Sequence, residues 1–236
     1  MCGRYVLFTT GDELISAAGE VTEFRELLAP QGTPPARYNV APTQFIPIVH
    51  RETASVGVDA RETVGVLEPA RWGLVPSWKK DVNGPTLFNA RAETVTEKPS
   101  FRSSFKSLRC VIPLDGYYEW KDKQPHFVRR TDGQLLWAAG LYATGTEAVY
   151  PGPSATIITT ASAPPLEWLH DRMPRFLDQA EIPAWLTGGE STARALLTVA
   201  PTSLRDTLVT SPASLRVGNV RNDDPDLLVS EQLPLA

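Results

Sequence analysis

Prolines and glycines interrupt this chain along its whole length, and they restrict it to short secondary-structure elements. The 236 residues include 21 prolines and 16 glycines, which are scattered rather than gathered into a linker or a repeat. Between them lie short segments rich in β-branched and aromatic residues, a pattern typical of strands joined by turns. We predict strands at residues 45–50, 109–113, 117–121, 126–130, 135–143 and 155–160.

Capping signals predict a smaller number of helices. Thr10 and Glu13 have the spacing of a capping box, and apolar residues continue at helical intervals toward Leu28. Asp178 and Glu181 repeat this spacing, and they predict a second capped helix. Further helical segments are predicted at residues 164–169 and 191–199.

Length and composition favour one domain. A chain of 236 residues with 42% apolar residues can bury a substantial core. We predict a single α+β domain with a mainly antiparallel sheet over residues 1–222, and an irregular acidic tail at 223–236. The longest apolar stretch, 135–143, is far shorter than the ~20 residues of a spanning helix, and residues 1–10 lack the features of a signal peptide. We therefore expect a soluble, cytoplasmic monomer that makes no membrane contact.

The cysteines and histidines do not have the spacing of a metal site. Cys2 and Cys110 lie 108 positions apart, and the three histidines are equally dispersed. A disulfide framework and a zinc site are therefore not expected, and we predict no metal or other cofactor. Cys110, within an apolar strand, is most simply a buried hydrophobic residue.

Charge is distributed unevenly along the chain. The formal net charge is -4, which by itself argues against a nucleic-acid partner. Residues 71–130, however, contain twelve Lys or Arg against six Asp or Glu, a local balance of +6. An acidic chain can therefore present a basic face, although ordinary fluctuation of surface charge would produce a similar imbalance.

Aromatic and cationic residues alternate within this basic segment. Trp78 is followed by Lys79 and Lys80, and Trp72 and Arg91 lie near them in sequence. Such a mixture suits single-stranded nucleic acid, because bases stack on the rings while cations follow the phosphates. Trp72 could equally be a core residue of a barrel, whereas the lysines after Trp78 favour its exposure.

Cys2 has a chemistry that no internal cysteine shares. Methionine aminopeptidases remove Met1 when the next residue is small, and removal would give Cys2 a free α-amine beside its thiol. Both groups are partly nucleophilic near neutral pH. Together they can form a Schiff base with an aldehyde and then close a five-membered thiazolidine ring. Taken alone, a cysteine at position 2 is more simply incidental.

Two other residues could move protons. Strand alternation places Glu119 on one face with Tyr117 and Lys121, and a carboxylate among aromatic residues can act as a proton donor or acceptor. The alternative is an ordinary exposed strand carboxylate. His170 precedes an Asp-Arg pair after an apolar segment, which makes general acid or base use reasonable, although a lone histidine is usually structural.

The motifs taken together resemble the SRAP family, the SOS-response-associated peptidases that process abasic sites in DNA. This resemblance implies a single α+β domain around a curved, barrel-like β core with flanking helices. It also implies a positively charged groove that leads single-stranded DNA to Cys2, where a ring-opened abasic sugar is captured as a thiazolidine. The resemblance rests on segments spread in order over nearly the whole chain: 1–4, 37–42, 72–78, 89–93, 115–120, 170–174 and 217–220.

The resemblance also implies roles for individual residues. The nucleophile falls on Cys2, the positioning amide on Asn89, the catalytic carboxylate on Glu119 and the catalytic imidazole on His170. The positions implied to contact DNA are Arg4, Pro42, Trp78, Arg91, Thr159 and Arg172.

The sequence departs from the expected family pattern at Arg175-Phe176, where aliphatic residues are expected, and this change could alter the rim near His170. The family name records a self-cleavage that exposes Cys2. We therefore expect autopeptidase activity, together with AP lyase activity at abasic sites. Only Met1 precedes Cys2, so self-cleavage and removal by an aminopeptidase are not distinguished by the sequence.

Three other functions remain open at this point. Glutamine amidotransferases of the N-terminal-nucleophile class also begin Met-Cys-Gly, but the similarity is confined to those residues. A papain-like protease would carry its cysteine internally, at the start of a helix. A non-covalent DNA-binding module would use the arginines and tryptophans but would leave Cys2 and Glu119 without a role.

Overall fold

The structure is a computed structural model that describes residues 2–52, 62–145 and 149–230. Met1 and the last six residues of the expected tail lie outside these ranges. The strands are β1 (Arg4–Leu7), β2 (Glu26–Leu28), β3 (Arg37–Val40), β4 (Phe45–Arg51), β5 (Val64–Trp72), β6 (Asn89–Arg91), β7 (Arg109–Leu114), β8 (Gly116–Lys121), β9 (Gln124–Arg130), β10 (Leu136–Thr144), β11 (Pro153–Ala161), β12 (Arg172–Pro174) and β13 (Leu208–Pro212). The helices are α1 (Gly11–Thr22), α2 (Arg102–Ser107), α3 (Glu181–Thr187), α4 (Glu190–Ala195) and α5 (Thr202–Arg205), with 3-10 turns at Leu215–Gly218 and Pro225–Leu228.

The larger sheet closes on itself. Strands β11, β10, β7, β4 and β5 pair in this order, each antiparallel to the next. A parallel pairing of β5 with β11 at Arg71 and Ser154 completes the ring. β12 and β6 both extend from β11, and β2 extends from β5. The predicted α+β fold with a mainly antiparallel, barrel-like β core is therefore confirmed.

The second sheet carries the N-terminus. Its order is β13-β9-β8-β1-β3, so β1 lies between β8 and β3. Tyr5 attaches β1 to the barrel, because its hydroxyl donates to the Pro113 carbonyl and its ring lies 6.3 Å from that of Trp72. The Asp115 carboxylate accepts hydrogen bonds from the backbone N–H groups of Phe8 and Thr9. These contacts fix the residues that precede β1 at the junction of the two sheets.

Helix α1 is shorter than its apolar pattern predicts. Thr10 makes no side-chain cap, so the predicted capping box at Thr10 and Glu13 does not form. The helix ends at Thr22 because Glu23 adopts a left-handed conformation with φ 55°. The apolar residues that follow form β2, which pairs in parallel with β5. The apolar residues whose spacing resembled a helix therefore form a strand, and the partner of that strand, β5, lies far along the sequence.

The predicted capping box at Asp178 and Glu181 is present. The Glu181 backbone N–H donates to the Asp178 carboxylate at 3.0 Å, and the Asp178 N–H donates to the Glu181 carboxylate at 3.1 Å. The third predicted helix is found as the shorter Glu190–Ala195. Residues 164–169, predicted as helical, instead form consecutive turns.

Arg175 lies in the core rather than on a rim. Its side chain is fully buried, donates to the Leu196 carbonyl at 2.7 Å and forms an ion pair with Glu181 at 2.6 Å. Phe176 is also fully buried and packs against the Tyr117 ring. The expectation that this pair alters the rim near His170 is therefore wrong, because both side chains point inward.

The described part of the expected tail packs on the domain. The Asp223 carboxylate accepts hydrogen bonds from the backbone N–H of Tyr38 and of Asn39, and it forms an ion pair with Arg37. Leu227 is fully buried in a small apolar cluster beneath the second sheet. Residues 223–230 thus differ from the irregular tail expected from their composition. None of the helices described here is long and apolar enough to cross a membrane.

Candidate active site

Cys2 is buried where the two sheets meet. Its side chain is fully buried and belongs to the main apolar cluster. The antiparallel register pairs Arg4 with Tyr118 and Tyr5 with Tyr117. Continued by one residue, this register brings Gly3 alongside Glu119. The strand pairing therefore places Cys2 and Gly3 beside the middle of β8.

Asn89 holds the backbone of Cys2. It opens the three-residue strand β6, which pairs in parallel with β11. Alternation turns Ala90 into the core, so that Asn89 and Arg91 project from the opposite face. The Asn89 amide nitrogen donates to the Cys2 carbonyl at 2.8 Å. The amide oxygen of Asn89 is buried and has no hydrogen-bond partner among the described residues. This oxygen can therefore accept a hydrogen bond from a bound ligand.

Glu119 is a buried carboxylate close to the Cys2 thiol. It is only 5% exposed, and one of its oxygens accepts from the Trp120 backbone N–H at 3.3 Å. Burial, and next the charge of Glu119, raise the pKa of the Cys2 thiol well above its usual range. A hydrogen bond from the Arg4 backbone N–H acts in the opposite direction and is outweighed. The thiol is therefore protonated at neutral pH.

Tyr117 completes the polar surroundings of Cys2. Burial raises the pKa of its phenol well above the usual range, and the charges of Cys2 and Glu119 add to this effect. Tyr117 and Glu119 are two residues apart in β8, so strand alternation places them on the same face. Glu119 is not the exposed strand carboxylate that was the alternative.

The His170 ring has two polar neighbours at one nitrogen. Its Nδ1 lies 2.7 Å from the Asp171 carboxylate and 2.9 Å from the Arg172 backbone nitrogen. A protonated Nδ1 donates to Asp171, whereas a deprotonated Nδ1 accepts from the Arg172 N–H. Both protonation states therefore have a partner at Nδ1. With 28% of its side chain exposed, His170 is accessible to a ligand.

Arg172 is held by neighbours that leave its side chain mostly covered. Its guanidinium makes two hydrogen bonds to the Glu93 carboxylate, at 2.6 and 2.9 Å, and a third to the Thr159 carbonyl at 2.6 Å. Thr159 itself is fully buried. Its expected direct contact with DNA is therefore corrected, because Thr159 lies in β11 between the paired strands β6 and β12 and has no exposed surface. Thr159 instead orients Arg172.

The other positions expected to contact DNA are at least partly accessible. Trp78 is 60% exposed, and its indole N–H donates to the Pro99 carbonyl at 3.3 Å. Arg91 is exposed, whereas Arg4 and Pro42 are partly exposed. Trp72, the ambiguous tryptophan of the sequence, is fully buried in the barrel.

Not every cation of the basic segment faces outward. Arg109 is almost fully buried and donates to the carbonyl groups of Trp185 and Phe105. Arg130 is paired with Asp132. The sequence excess of +6 therefore overstates the free positive charge of this segment, because part of it stabilises helix ends and turns.

Sequence reasoning missed a histidine and a tryptophan beside the site. His126 lies directly opposite Glu119 in the β8–β9 pairing, and its ring meets the Trp168 ring edge-on at 5.1 Å. The sequence feature that could have indicated His126 is the two-residue turn after Lys121, because this turn fixes the register between β8 and β9. Burial lowers the pKa of His126.

Metal chemistry has no support among the described residues. They contain no group of three or more His, Cys, Asp or Glu side chains arranged to hold a metal ion. Cys2 and Cys110 are both free thiols, and Cys110 is fully buried as its apolar strand predicts.

Comparison with known proteins agrees with this arrangement. Residues 1–220 match the family described as SOS response associated peptidase (SRAP). The chain is 34% identical over 238 residues to the abasic site processing protein YoaM of Bacillus subtilis, covering 98% of this chain and 99% of that protein. It is 33% identical over 226 residues to the abasic site processing protein HMCES of Xenopus tropicalis, covering 82% of this chain and 65% of that protein.

A solved structure has the same fold. A crystal structure of a protein from Bacteroides thetaiotaomicron superposes with a TM-score of 0.75 at 22% identity, covering 96% of this chain and 98% of that one. At this level of identity the likeness concerns the fold alone. The family match over nearly the whole chain, and a relative at 34% identity over 99% of its length, decide the assignment: this chain belongs to the SRAP family, the SOS response associated peptidases.

Proposed function

We propose that this protein captures the aldehyde of a ring-opened abasic site in single-stranded DNA through the α-amine and thiol of Cys2. The observation that carries the proposal is the hydrogen bond from the Asn89 amide to the Cys2 carbonyl, with the buried Glu119 carboxylate near enough for its charge to raise the pKa of the Cys2 thiol. An α-amine, a thiol and a proton acceptor within one enclosed site are the groups that capture of an aldehyde as a thiazolidine needs, and the Asn89 hydrogen bond to the Cys2 carbonyl orients the residue that carries the first two.

The reaction proceeds in two bond-forming steps. The α-amine adds to the aldehyde carbon, and the resulting carbinolamine loses water to give an imine. The thiol sulfur then adds to the imine carbon while the thiol proton passes to the imine nitrogen, which closes the thiazolidine ring. The net change is one aldehyde plus one aminothiol going to one thiazolidine and one water.

The chemistry of the two groups suggests an order for these steps. In the chain that retains Met1, burial and next Glu119 raise the pKa of the Cys2 thiol, and a protonated thiol is a weak nucleophile toward the free aldehyde. The amine therefore attacks first, and the thiol reacts only when the imine is held beside it. Glu119 is placed to take a proton from the incoming amine and to return it when water leaves.

Removal of Met1, by self-cleavage or by an aminopeptidase, must precede capture because only then does Cys2 carry the amine. Self-cleavage would be the peptidase activity for which the family is named. The imine also offers a route to AP lyase activity, since it acidifies the adjacent carbon of the sugar and allows the 3′ phosphate to leave by elimination.

DNA would reach the site across the exposed Trp78 and Arg91. An aromatic ring accepts an unpaired base, and an arginine neutralises a phosphate. This combination favours a single strand, whose bases are free to stack.

Mass spectrometry of the purified protein mixed with an abasic single-stranded oligonucleotide tests the proposal. We expect an adduct at the sum of the two masses less one water, formed by protein that has lost Met1. Cys2→Ala should lose the stable ring, and Cys2→Ser should leave at most a weaker Schiff base. Cys110→Ala, which alters the other buried thiol, should form the adduct normally. Equal crosslinking by protein that retains Met1 would refute the aminothiol mechanism and favour a different nucleophile.

A further inference from the structure

Trp168 lies on a turn beside the site with its ring directed outward. The turn spans residues 164–169 and leads directly to His170. Leu166 and Leu169 anchor it, since both are almost fully buried, whereas Trp168 is 49% exposed. The chain therefore buries the two smaller apolar side chains of this turn and leaves its largest one accessible.

The turn is held firmly in place. The Arg205 guanidinium donates to the Pro164 carbonyl at 2.5 Å, and the Leu169 N–H donates to the Leu166 carbonyl at 3.0 Å. At its end the Ser162 N–H donates to the Asp171 carbonyl at 2.8 Å. The backbone on both sides of Trp168 is thus held by hydrogen bonds.

His126 connects this ring to the catalytic strand. The His126 and Trp168 rings meet at 88°, with 5.1 Å between their centres. His126 pairs directly with Glu119 across β8 and β9, and directly paired residues project from the same face of a sheet. Trp168 therefore contacts the residue directly opposite Glu119.

We propose that Trp168 is a stacking surface for the unpaired base next to the abasic nucleotide, and that His126 is the residue that positions it. This proposal rests on the DNA capture proposed above. An abasic nucleotide deprives its neighbour of one stacking partner, and an indole ring beside the captured sugar supplies another. Stacking on a ring does not depend on base identity, so the contact accepts any sequence.

The charges around the ring indicate a base rather than a phosphate. Glu167 and Asp171, both exposed, flank Trp168 in sequence. Their carboxylates repel a phosphate but leave the uncharged face of a base unaffected. The Trp168 contact should therefore contribute affinity without neutralising phosphate charge, which distinguishes it from a contact made by Arg91.

Binding to an oligonucleotide that carries a tetrahydrofuran abasic analogue tests this proposal, because the analogue has no aldehyde and separates binding from capture. Loss of one stacked base corresponds to about 1–3 kcal/mol, so Trp168→Ala should weaken binding by roughly 5- to 150-fold. The slope of log affinity against log salt should not change. Trp168→Phe, which retains a ring, should recover most of the affinity.

Two controls separate stacking from general damage to the fold. Phe8→Ala removes another exposed aromatic ring, at the opposite end of β1 from Cys2, and should bind like the wild type. An oligonucleotide whose central analogue is flanked by further abasic analogues offers no neighbouring base. With that oligonucleotide, Trp168→Ala and the wild type should bind equally.

The role of His126 is tested by rescue. His126→Ala should weaken binding, His126→Phe should restore it by keeping the edge contact, and His126→Ala should add little to Trp168→Ala. Unchanged binding by Trp168→Ala, or an equal loss on the flanked oligonucleotide, would overturn the stacking role. Absence of any adduct between the wild type and a true abasic site would refute covalent capture alone, because this binding assay does not depend on it.

Discussion

The Asn89 side-chain amide donates a 2.8 Å hydrogen bond to the carbonyl oxygen of Cys2, from a strand 87 residues further along the chain. In the capture proposed above, this contact orients the residue whose amine and thiol must both reach one carbon atom. Orientation of this kind lowers a barrier without any change in the reacting groups themselves.

Asn89→Ala should therefore slow covalent capture while leaving the fold intact. Loss of one neutral hydrogen bond corresponds to about 1 kcal/mol, so we expect roughly a 5- to 10-fold decrease in rate at saturating DNA. Single-turnover formation of the adduct with an abasic oligonucleotide measures this rate. Asn83→Ala, in an exposed loop, serves as the control and should react normally. An undiminished rate in Asn89→Ala would mean that the Cys2 carbonyl needs no anchor.

Glu119→Gln keeps the shape of the side chain but removes its ability to exchange protons. We expect the step from encounter complex to adduct to slow by ~10²-fold or more. Affinity for the non-reactive tetrahydrofuran oligonucleotide should hardly change, because the buried Glu119 offers little surface to DNA. Glu97→Gln, an exposed carboxylate, is the matched control. If Glu119→Gln weakens binding as much as it slows capture, Glu119 acts on DNA binding and not on proton transfer.

Local patterns in the sequence predicted the features that depend on neighbouring residues. The reciprocal hydrogen bonds of Asp178 and Glu181 lie within one turn and need no tertiary context. Strand alternation placed Glu119 on one face with Tyr117 but left open whether that face was buried, and the structure shows that Glu119 is buried. The helical interval toward Leu28 failed because the partner of β2 is β5, a strand that no local pattern connects to it.

The burial of Thr159 could not be predicted from neighbouring residues either, because it also depends on pairing between strands that are distant in sequence. Its burial results from the parallel pairing of β11 with β6, two strands about 70 residues apart in sequence. The role proposed for Trp168 could not be inferred from the sequence because it depends on contact with His126, which the β8–β9 register places opposite Glu119. Chemical identity of site residues can be predicted from motifs, whereas their exposure depends on long-range pairing.

His170→Ala should distinguish ring opening from later steps. An abasic deoxyribose is mostly a closed hemiacetal, and an imidazole can donate a proton to the ring oxygen as it opens. We expect the variant to slow capture of a closed-ring abasic site more than capture of a simple aldehyde that lacks the ring. Parallel adduct formation with the two substrates measures the difference. Equal losses with both would place His170 in adduct reversal or DNA positioning instead.

Arg91→Ala should reduce the electrostatic part of DNA binding. Affinity for single strands falls with salt at a log–log slope of about -0.7 per phosphate contacted, and removal of one contact should make the slope shallower by about that amount. Titrations of the tetrahydrofuran oligonucleotide at several salt concentrations give the slope. Arg25→Ala removes an exposed arginine before β2 and should leave it unchanged. An affinity that is independent of salt in the wild type would rule out a cationic DNA groove.

The ion pair between Arg172 and Glu93 should make stability depend on pH in the acid range. The hydrogen bonds from Arg172 hold the pKa of the Glu93 carboxyl below its ordinary value of 4.5, although partial burial opposes this effect. A group whose pKa is lowered by folding stabilises the protein above its ordinary pKa, and that contribution disappears as the pH falls through the lowered pKa.

Glu93→Gln should therefore be less stable than the wild type at pH 6, and the difference should shrink as the pH falls below 4.5. Half of the Glu93 side chain is exposed, so solvent screening limits the effect to about 1–3 °C in melting temperature. Thermal denaturation of both proteins between pH 6 and pH 3 measures this difference directly. Glu97→Gln, which removes a nearby exposed carboxylate, should melt with the wild type at each pH. No difference between the two proteins at any pH would show that Glu93 supports Arg172 through its shape, since the amide retains that shape while the charge is lost, and a difference that stays the same from pH 6 to pH 3 would show that titration of Glu93 does not cause it.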